Sequence, residues 1–262
     1  MQIITSKDNE IIKYIKKLKE KKYRELEKAY VIEGEKLINE AIQENAKIKY
    51  IVISETVVEE LNEDFKKNVE KKSCIYVTDK IFRRITDVVT PQGMLAVIEK
   101  KDIDENDINI DEELIIVLDG IQDPGNFGTI IRTIDSAGLS QVIISKKTVD
   151  IYNSKVVRST MGAIFRVNVI ISEDLAVTLR QLEKQGFETI ATSLDTKDSI
   201  YDMKKGKKVI IIGNEANGVS EDVLQIVNKK AKIPMLGKTE SLNVSVATGI
   251  IIYEYVRRKI KE

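Results

Sequence analysis

Lys238, Thr239, Glu240, Ser241 and Asn243 crowd six positions just ahead of an apolar run, Val244 to Arg258, that reads as a helix. A helix N-terminus presents unpaired main-chain N–H groups and the positive end of a dipole. Hydroxyl, amide and charged side chains at that mouth suit the binding of a polar ligand. Simple capping of the helix by Ser241 or Asn243 is the competing reading. Two segments upstream bear on the choice. In Asp119-Gly-Ile-Gln-Asp-Pro-Gly-Asn-Phe-Gly-Thr-Ile-Ile-Arg132, the turn signal Asp123-Pro-Gly125 leads to Asn126 at a helix-cap position, and Arg132 follows six residues later. In Val209-Ile-Ile-Ile-Gly-Asn-Glu-Ala-Asn-Gly-Val-Ser220, an apolar strand ends at Gly213, where a ligand could approach closely, and Glu215 lies just beyond it. A fourth candidate is Arg158-Ser-Thr-Met-Gly-Ala163, which reads equally as an ordinary helix.

All three main segments leave the carboxyl end of an apolar strand, the edge at which parallel α/β sheets bind ligands. The strands that must place them are Leu114–Leu118, Val209–Ile212 and Ala231–Pro234, with Gln141–Ile144, Arg166–Ile171 and Thr189–Ala191 completing the sheet. Helices are predicted over Phe127–Ala137, with Gly138 as its stop, and near Asn153–Ala163, Ala176–Gln185 and Val219–Asn228. This alternation predicts a mainly parallel sheet covered on both faces. Upstream, residues 9–29 form a basic amphipathic element. Strands at 30–32, 48–53, 74–77 and 94–98 then alternate with helices after Glu33-Gly34, at 57–69 and at 79–85. Between the two parts, residues 102–113 hold seven acids and no base, which reads as a solvated linker.

The composition excludes several chemistries. The 262 residues contain no histidine and one cysteine, Cys74, so His-based triads, a zinc site and a disulfide framework are out, and a reducing cytoplasm is expected. No run approaches the length of a membrane span, and the first residues lack the apolar core of a signal peptide. Lys and Arg balance Asp and Glu at 42 each, so attraction to a polyanion has to be local. Residues 1–30 supply it, with nine Lys or Arg against five acids. Lys16, Lys19, Lys22 and Arg24 on this element are candidate contacts to nucleic-acid phosphates, and a solvated helix face is the alternative. The strand-to-helix segments are neither G-x-G-x-x-G nor a P-loop, which argues against a dinucleotide dehydrogenase or an NTPase.

With Asn126 and Arg132, Gly213-Asn-Glu215 and Ser241-Leu-Asn243 in this order, residues 114–258 resemble the SpoU/TrmH family of RNA ribose 2′-O-methyltransferases in the SPOUT superfamily. Tyr30-Val-Ile-Glu-Gly-Glu35, after a basic helix, makes residues 1–98 similar to the L30e-like substrate-binding domain that many members carry. The resemblance implies an α/β fold with a C-terminal trefoil knot, an exception to the rule against threaded chains. Its domains would be an L30e-like unit at 1–100, an acidic linker at 101–113 and a catalytic unit at 114–262. It implies S-adenosylmethionine as methyl donor, no metal, and a homodimer working in the cytoplasm on structured RNA. The substrate-domain architecture favours 23S ribosomal RNA over transfer RNA. By position, Thr192, Gly213, Ile233, Met235 and Leu242 would line the cofactor. Arg132 would be catalytic, as base or as phosphate clamp, with Asn126, Glu215, Ser241 and Asn243 ordering it and the ribose. A non-catalytic RNA-binding or ribosome-assembly protein of the same fold is the alternative, and the intact polar set argues against it.

Overall fold

The computed structural model describes residues 3–69 and 72–260. Met1, Gln2, Glu70, Lys71, Lys261 and Glu262, which fall inside the expected domain ranges, lie outside the described residues. The chain divides into two compact units. One holds the residues through Asp102 together with Asp150–Phe165, and the other Ile103–Val149 and the residues from Arg166 onward.

In the first unit, the strands β1 (Ile3–Ile4), β2 (Ala29–Glu33), β3 (Ile48–Ser54), β4 (Cys74–Val77) and β5 (Met94–Glu99) form one sheet in the order β1-β4-β3-β5-β2. The pairs β1–β4 and β3–β4 are parallel, and β5 is antiparallel to both β3 and β2. Side chains alternate across a strand, so neighbouring residues serve opposite faces. Ile51 and Ile53 of β3 and Met94, Ala96 and Ile98 of β5 join α3 (Glu35–Gln43) and α4 (Glu63–Val69) in one core. Val52, Leu95 and Val97 join α1 (Glu10–Lys17) and α5 (Asp79–Ile85) in another.

The basic element expected over residues 9–29 is two helices, α1 and α2 (Lys21–Leu26). Arg24 explains the break: its guanidinium donates to the carbonyl oxygens of Leu18 and Lys19, at 2.7 and 2.6 Å, and pairs with Asp150. Arg24 is 5% exposed, so its expected role as an RNA contact is corrected to that of an internal cross-link. The helix predicted over 57–69 begins only at Glu63.

In the second unit, the strands β6 (Leu114–Asp119), β7 (Gln141–Ser145), β8 (Asn168–Ser172), β9 (Glu188–Thr192), β10 (Lys208–Gly213) and β11 (Lys229–Ala231) lie in the order β11-β9-β10-β6-β7-β8, every pair parallel. The central strands β6 and β10 are mostly apolar and rich in Ile and Val, as suits strands buried on both faces. One face packs on α8 (Leu175–Lys184) and α9 (Glu221–Leu224) through Leu179, Leu182 and Val223. The helices α6 (Pro124–Ser136) and α10 (Val244–Ile260) pack on each other and bury Phe127, Ile130, Ile134, Ile251 and Ile252.

The short helix Ser154–Ser159, α7 in chain order, departs from the expected division of the chain. Val157, Ile164 and Phe165 complete the core that contains α3 and α4, so this stretch of the chain belongs to the first unit. Residues 103–113 differ from a solvated linker. Ile103 and Ile108 pack against the core of the second unit, and Asp104 caps a single helical turn, Glu105–Asp107, while its own N–H donates to the Asp107 carboxylate. The acids there cap main-chain N–H groups, a use that a count of charge does not distinguish from solvation.

Removing one partner of a buried ion pair leaves the other charge stranded, at a cost of about 3–5 kcal/mol. Arg24→Met should therefore destabilise the first unit by about that much in urea unfolding, and adding Asp150→Leu should recover most of the loss.

Candidate active site at the carboxyl edge of the parallel sheet

The sheet register fixes where the polar segments emerge. Gly213, the last residue of β10, pairs with Asp119, the last of β6, and Thr192, the last of β9, pairs with Ala231 of β11. The loops after four adjacent strands therefore start at one level on one edge.

Glu215 is the hub of that edge. Its carboxylate accepts from the Nδ2 of Asn126 at 3.1 Å and, at 3.4 Å each, from the main-chain N–H groups of Gln122 and Asp123. Burial alone would raise this carboxyl. The bonds from Asn126 and from the main-chain N–H groups of Glu215, Gln122 and Asp123 outweigh burial and hold it below the usual carboxylate range. Asn126 passes the link on, since its Oδ1 accepts from the Nδ2 of Asn243 at 2.9 Å. Asn243 Oδ1 in turn accepts from the N–H groups of Ser245 and Val246, at 2.9 and 3.3 Å, which caps α10. Asn243 is thus both a cap and a member of the polar cluster, and the two readings of this loop coexist.

One expectation is corrected. The cap of α6 is Asp123, whose Oδ1 accepts from the Asn126 N–H at 2.7 Å, with Pro124 in the first turn. Asn126 sits inside the first turn, and its amide is free to bridge Glu215 and Asn243.

Sequence reasoning passed over three supporting residues. Asn214 donates to the Gly120 carbonyl at 2.8 Å and accepts from the N–H groups of Ala216 and Asn217, at 2.9 and 3.1 Å. Asp119, 5% exposed, accepts from the Ser220 N–H at 2.8 Å. Gln122 donates to the Lys147 carbonyl. A carboxylate ending the otherwise apolar strand β6 was the available signal for Asp119.

The structure does not draw every candidate into this cluster. Arg132 is exposed on α6, and its guanidinium has no hydrogen bond or ion pair among the described residues. Ser241 is exposed, without a side-chain partner among them. In the first unit, Lys19 is engaged by Asp87 and by the Thr86 carbonyl, each at 2.8 Å. Lys22 stands over the Tyr23 ring, and Lys16 is half-buried. Arg158 belongs to the first unit, near Glu33.

The expected cofactor-lining residues share the carboxyl edge or the loop beyond β11. The Thr192 hydroxyl donates to the Ile211 carbonyl at 3.0 Å. Ile233 and Met235 are half-buried, and Leu242 is exposed, as are Leu194 and Leu236. Among the described residues, no main-chain hydrogen bond involves positions 233–242. Exposed aliphatic side chains beside unpaired peptide groups fit a ligand with a flat heteroaromatic ring and a polar rim, as S-adenosylmethionine has.

Gly213 needs a different explanation from the one its position suggested. A Cβ there would lie 2.1 Å from both the Gly218 carbonyl carbon and the Val219 nitrogen, so the returning chain fills the space. The Asn214–Gly218 bridge closes this turn, with N–H to O distances of 2.9 and 3.0 Å.

A six-stranded parallel sheet carrying an amide–carboxylate cluster at its carboxyl edge, beside an open apolar loop, defines an α/β ligand-binding domain of the enzyme type. The chain belongs to the SpoU rRNA methylase family, whose model matches residues 113–253, and residues 9–96 match an MRM3-like substrate-binding domain. It is 31% identical to the 23S rRNA (guanosine(2553)-2′-O)-methyltransferase RlmP of Bacillus subtilis, over 97% of this chain and 98% of that protein. The AdoMet-bound rRNA methyltransferase from Sinorhizobium meliloti is similar in structure, with a TM-score of 0.84 at 32% identity, covering 99% of this chain and 98% of the other. The 23S rRNA (guanosine-2′-O-)-methyltransferase RlmB of Xylella fastidiosa is 39% identical over 56% of this chain and 60% of its own. S-adenosylmethionine is the cofactor of this family.

Glu215→Gln removes the charge and turns an amide N–H₂ toward two of the donors, since Asp123 and Asn126 share one carboxylate oxygen and Gln122 and Asn214 the other. It should free one of the Gln122 and Asp123 amides for hydrogen exchange and cost about 1–2 kcal/mol, since these bonds are charged but partly solvated. Because the folded value of Glu215 is depressed, its contribution is fully present above the ordinary carboxylate value and is lost only as pH falls through the lower folded value. NMR titration should therefore place its midpoint below that of a free glutamate. Gly213→Ala should open the 214–218 turn and lower stability by about 1–3 kcal/mol or more, read by thermal unfolding.

Proposed function

We propose that this protein transfers the methyl group of S-adenosylmethionine to a ribose 2′-hydroxyl of 23S ribosomal RNA, in the cytoplasm. The observation that carries this reading is the Glu215–Asn126–Asn243 linkage, which ties the three motif-bearing loops together at one edge of the sheet. The full-length likeness to a 23S rRNA 2′-O-methyltransferase supports the substrate, and the match of residues 9–96 to a substrate-binding domain supports ribosomal over transfer RNA. The resemblance also brings a C-terminal knot and a homodimer into this reading.

The cofactor supplies an electrophilic methyl on a sulfonium. Thr192, Gly213, Ile233, Met235 and Leu242 would hold it, through main-chain groups and an apolar bed. The protein's remaining task is to bring the 2′-oxygen into line and dispose of its proton. Arg132 carries an uncommitted guanidinium suited to grip a phosphate in a bidentate manner. A guanidinium stays protonated, so the hydroxyl proton goes to a phosphate oxygen held by Arg132, or to water. Ser241 supplies a free hydroxyl to the ribose. Asn126, fixed from both sides, presents its remaining N–H at a set angle. Holding reactants in attack geometry is worth roughly 7–11 kcal/mol, enough for a site without a strong base. Lys16 and Lys22 remain available to RNA phosphates.

Incubation with radiolabelled S-adenosylmethionine and separate pools of 23S rRNA and tRNA, followed by mapping of alkali-resistant linkages, should find label on ribose in 23S rRNA. Label on bases, on tRNA alone, or nowhere would contradict the reading. In single-turnover assays, Arg132→Ala should lose about 100-fold or more in rate, with Arg132→Lys intermediate. Unchanged rates in both variants would remove Arg132 from the site.

A further inference from the structure

The edge of the parallel sheet opposite the active site carries a second concentration of charge. The loop between β9 and β10 is rich in lysine, and α10 ends beside it in Arg257-Arg258-Lys259. A cleft between them is lined by five cations, Lys204, Lys205, Lys208, Arg258 and Lys259, against two carboxylates, Glu113 and Glu254. Cations at a helix C-terminus are favoured by the dipole, which accounts for some of the charge. It does not account for the lysine loop.

The cations divide into two kinds. Arg258 is a buttress: it donates to the carbonyl oxygens of Ile200, Tyr201 and Met203 and pairs with Glu254 at 2.7 Å, so it pins the loop to α10. Lys208, 7% exposed, pairs with Glu188 at 2.9 Å. Glu254, itself 8% exposed, also takes Arg257 at 2.8 Å, and Glu113 accepts from the Tyr255 hydroxyl at 3.0 Å. Both carboxylates lining the cleft thus have protein partners. Lys204 and Lys259 are exposed and have no hydrogen bond or ion pair among the described residues, yet both line the cleft.

Resting on the function proposed above, we propose that this cleft is a second RNA contact. Lys204 and Lys259 take the sugar–phosphate backbone of the substrate. Lys204, on the loop that Arg258 pins, and Lys259, in the last turn of α10, turn ammonium groups without protein partners among the described residues to one cleft, as contacts to an RNA backbone require. With no net charge on the chain, such contacts must come from local clusters. The cleft lies about 16 Å from the active-site edge, the length of β10 at about 3.3 Å per residue. RNA bound there reaches the site without competing for the cofactor.

The test uses the full chain and a 23S rRNA transcript, with affinity measured by anisotropy between about 50 and 200 mM salt. Each phosphate contact contributes about 0.7–0.9 to the slope of log affinity against log salt. Lys204→Gln with Lys259→Gln should flatten the slope by about 1.4–1.8 and raise KM for RNA. The kcat at saturating RNA and the affinity for S-adenosylmethionine should stay unchanged. Arg180→Gln with Lys184→Gln, on the exposed side of α8, should leave the slope alone. An unchanged slope in the cleft variant, or an equal change in the α8 variant, overturns the proposal. A wild-type protein that shows the slope difference but transfers no methyl to ribose overturns the proposed function and leaves this contact standing.

Discussion

The site depends on one partly exposed carboxylate. Glu215 collects two main-chain N–H groups from the β6–α6 loop and the amide of Asn126, and its ionised form is favoured by all of them. The bond to Asn126 settles which way that amide points. With its N–H₂ turned to Glu215, its oxygen faces Asn243, and the mouth of α10 is joined to the other two loops. Loops leaving separate strands have no covalent reason to stay together. Here a chain of three polar side chains supplies the reason, at the cost of ordering groups that water would otherwise solvate.

The surroundings keep that chain in place. The turn behind Glu215 is as tight as it can be, because the returning main chain occupies the space a side chain at Gly213 would need. Asp119 and Asn214 satisfy the main-chain groups that this turn exposes. The linkage is therefore built on rigid strand ends. Among the described residues, Arg132, Ser241 and the peptide groups of 233–242 have no protein partner, which leaves them available in the proposed roles toward substrate and cofactor. The same division recurs at the far edge of the sheet, where Arg258 and Glu254 hold the loop while Lys204 and Lys259 have no partner among the described residues.

Much of this was legible in the sequence. Apolar β-branched runs such as Leu114–Leu118 and Val209–Ile212 announce buried parallel strands, and polar residues just beyond them mark the binding edge. The three short motifs stood out because each follows such a run. Other features depend on contacts that periodicity does not carry. Arg24 looked like one more cation on a basic helix, and only the fold shows it buried against Asp150 and two carbonyls. Residues 150–165 sit in sequence between strands of one sheet, yet Val157, Ile164 and Phe165 fill the core of the other unit. Asn126 read as a cap because it follows a turn signal, while Asp123, three residues earlier, takes that role. The acids of 103–113 read as solvated charge, but capping geometry and two isoleucines fold them onto the second unit.

The linkage itself is tested most directly by a double-mutant cycle on Asn126 and Asn243, reading single-turnover methyl transfer with cofactor and RNA both saturating. If the two amides act through their mutual hydrogen bond, either change to alanine breaks the same device. The double variant should then lose scarcely more rate than the worse single variant, with a coupling of about 0.5–3 kcal/mol. Losses that simply multiply would mean that the two residues act independently, and would contradict the account.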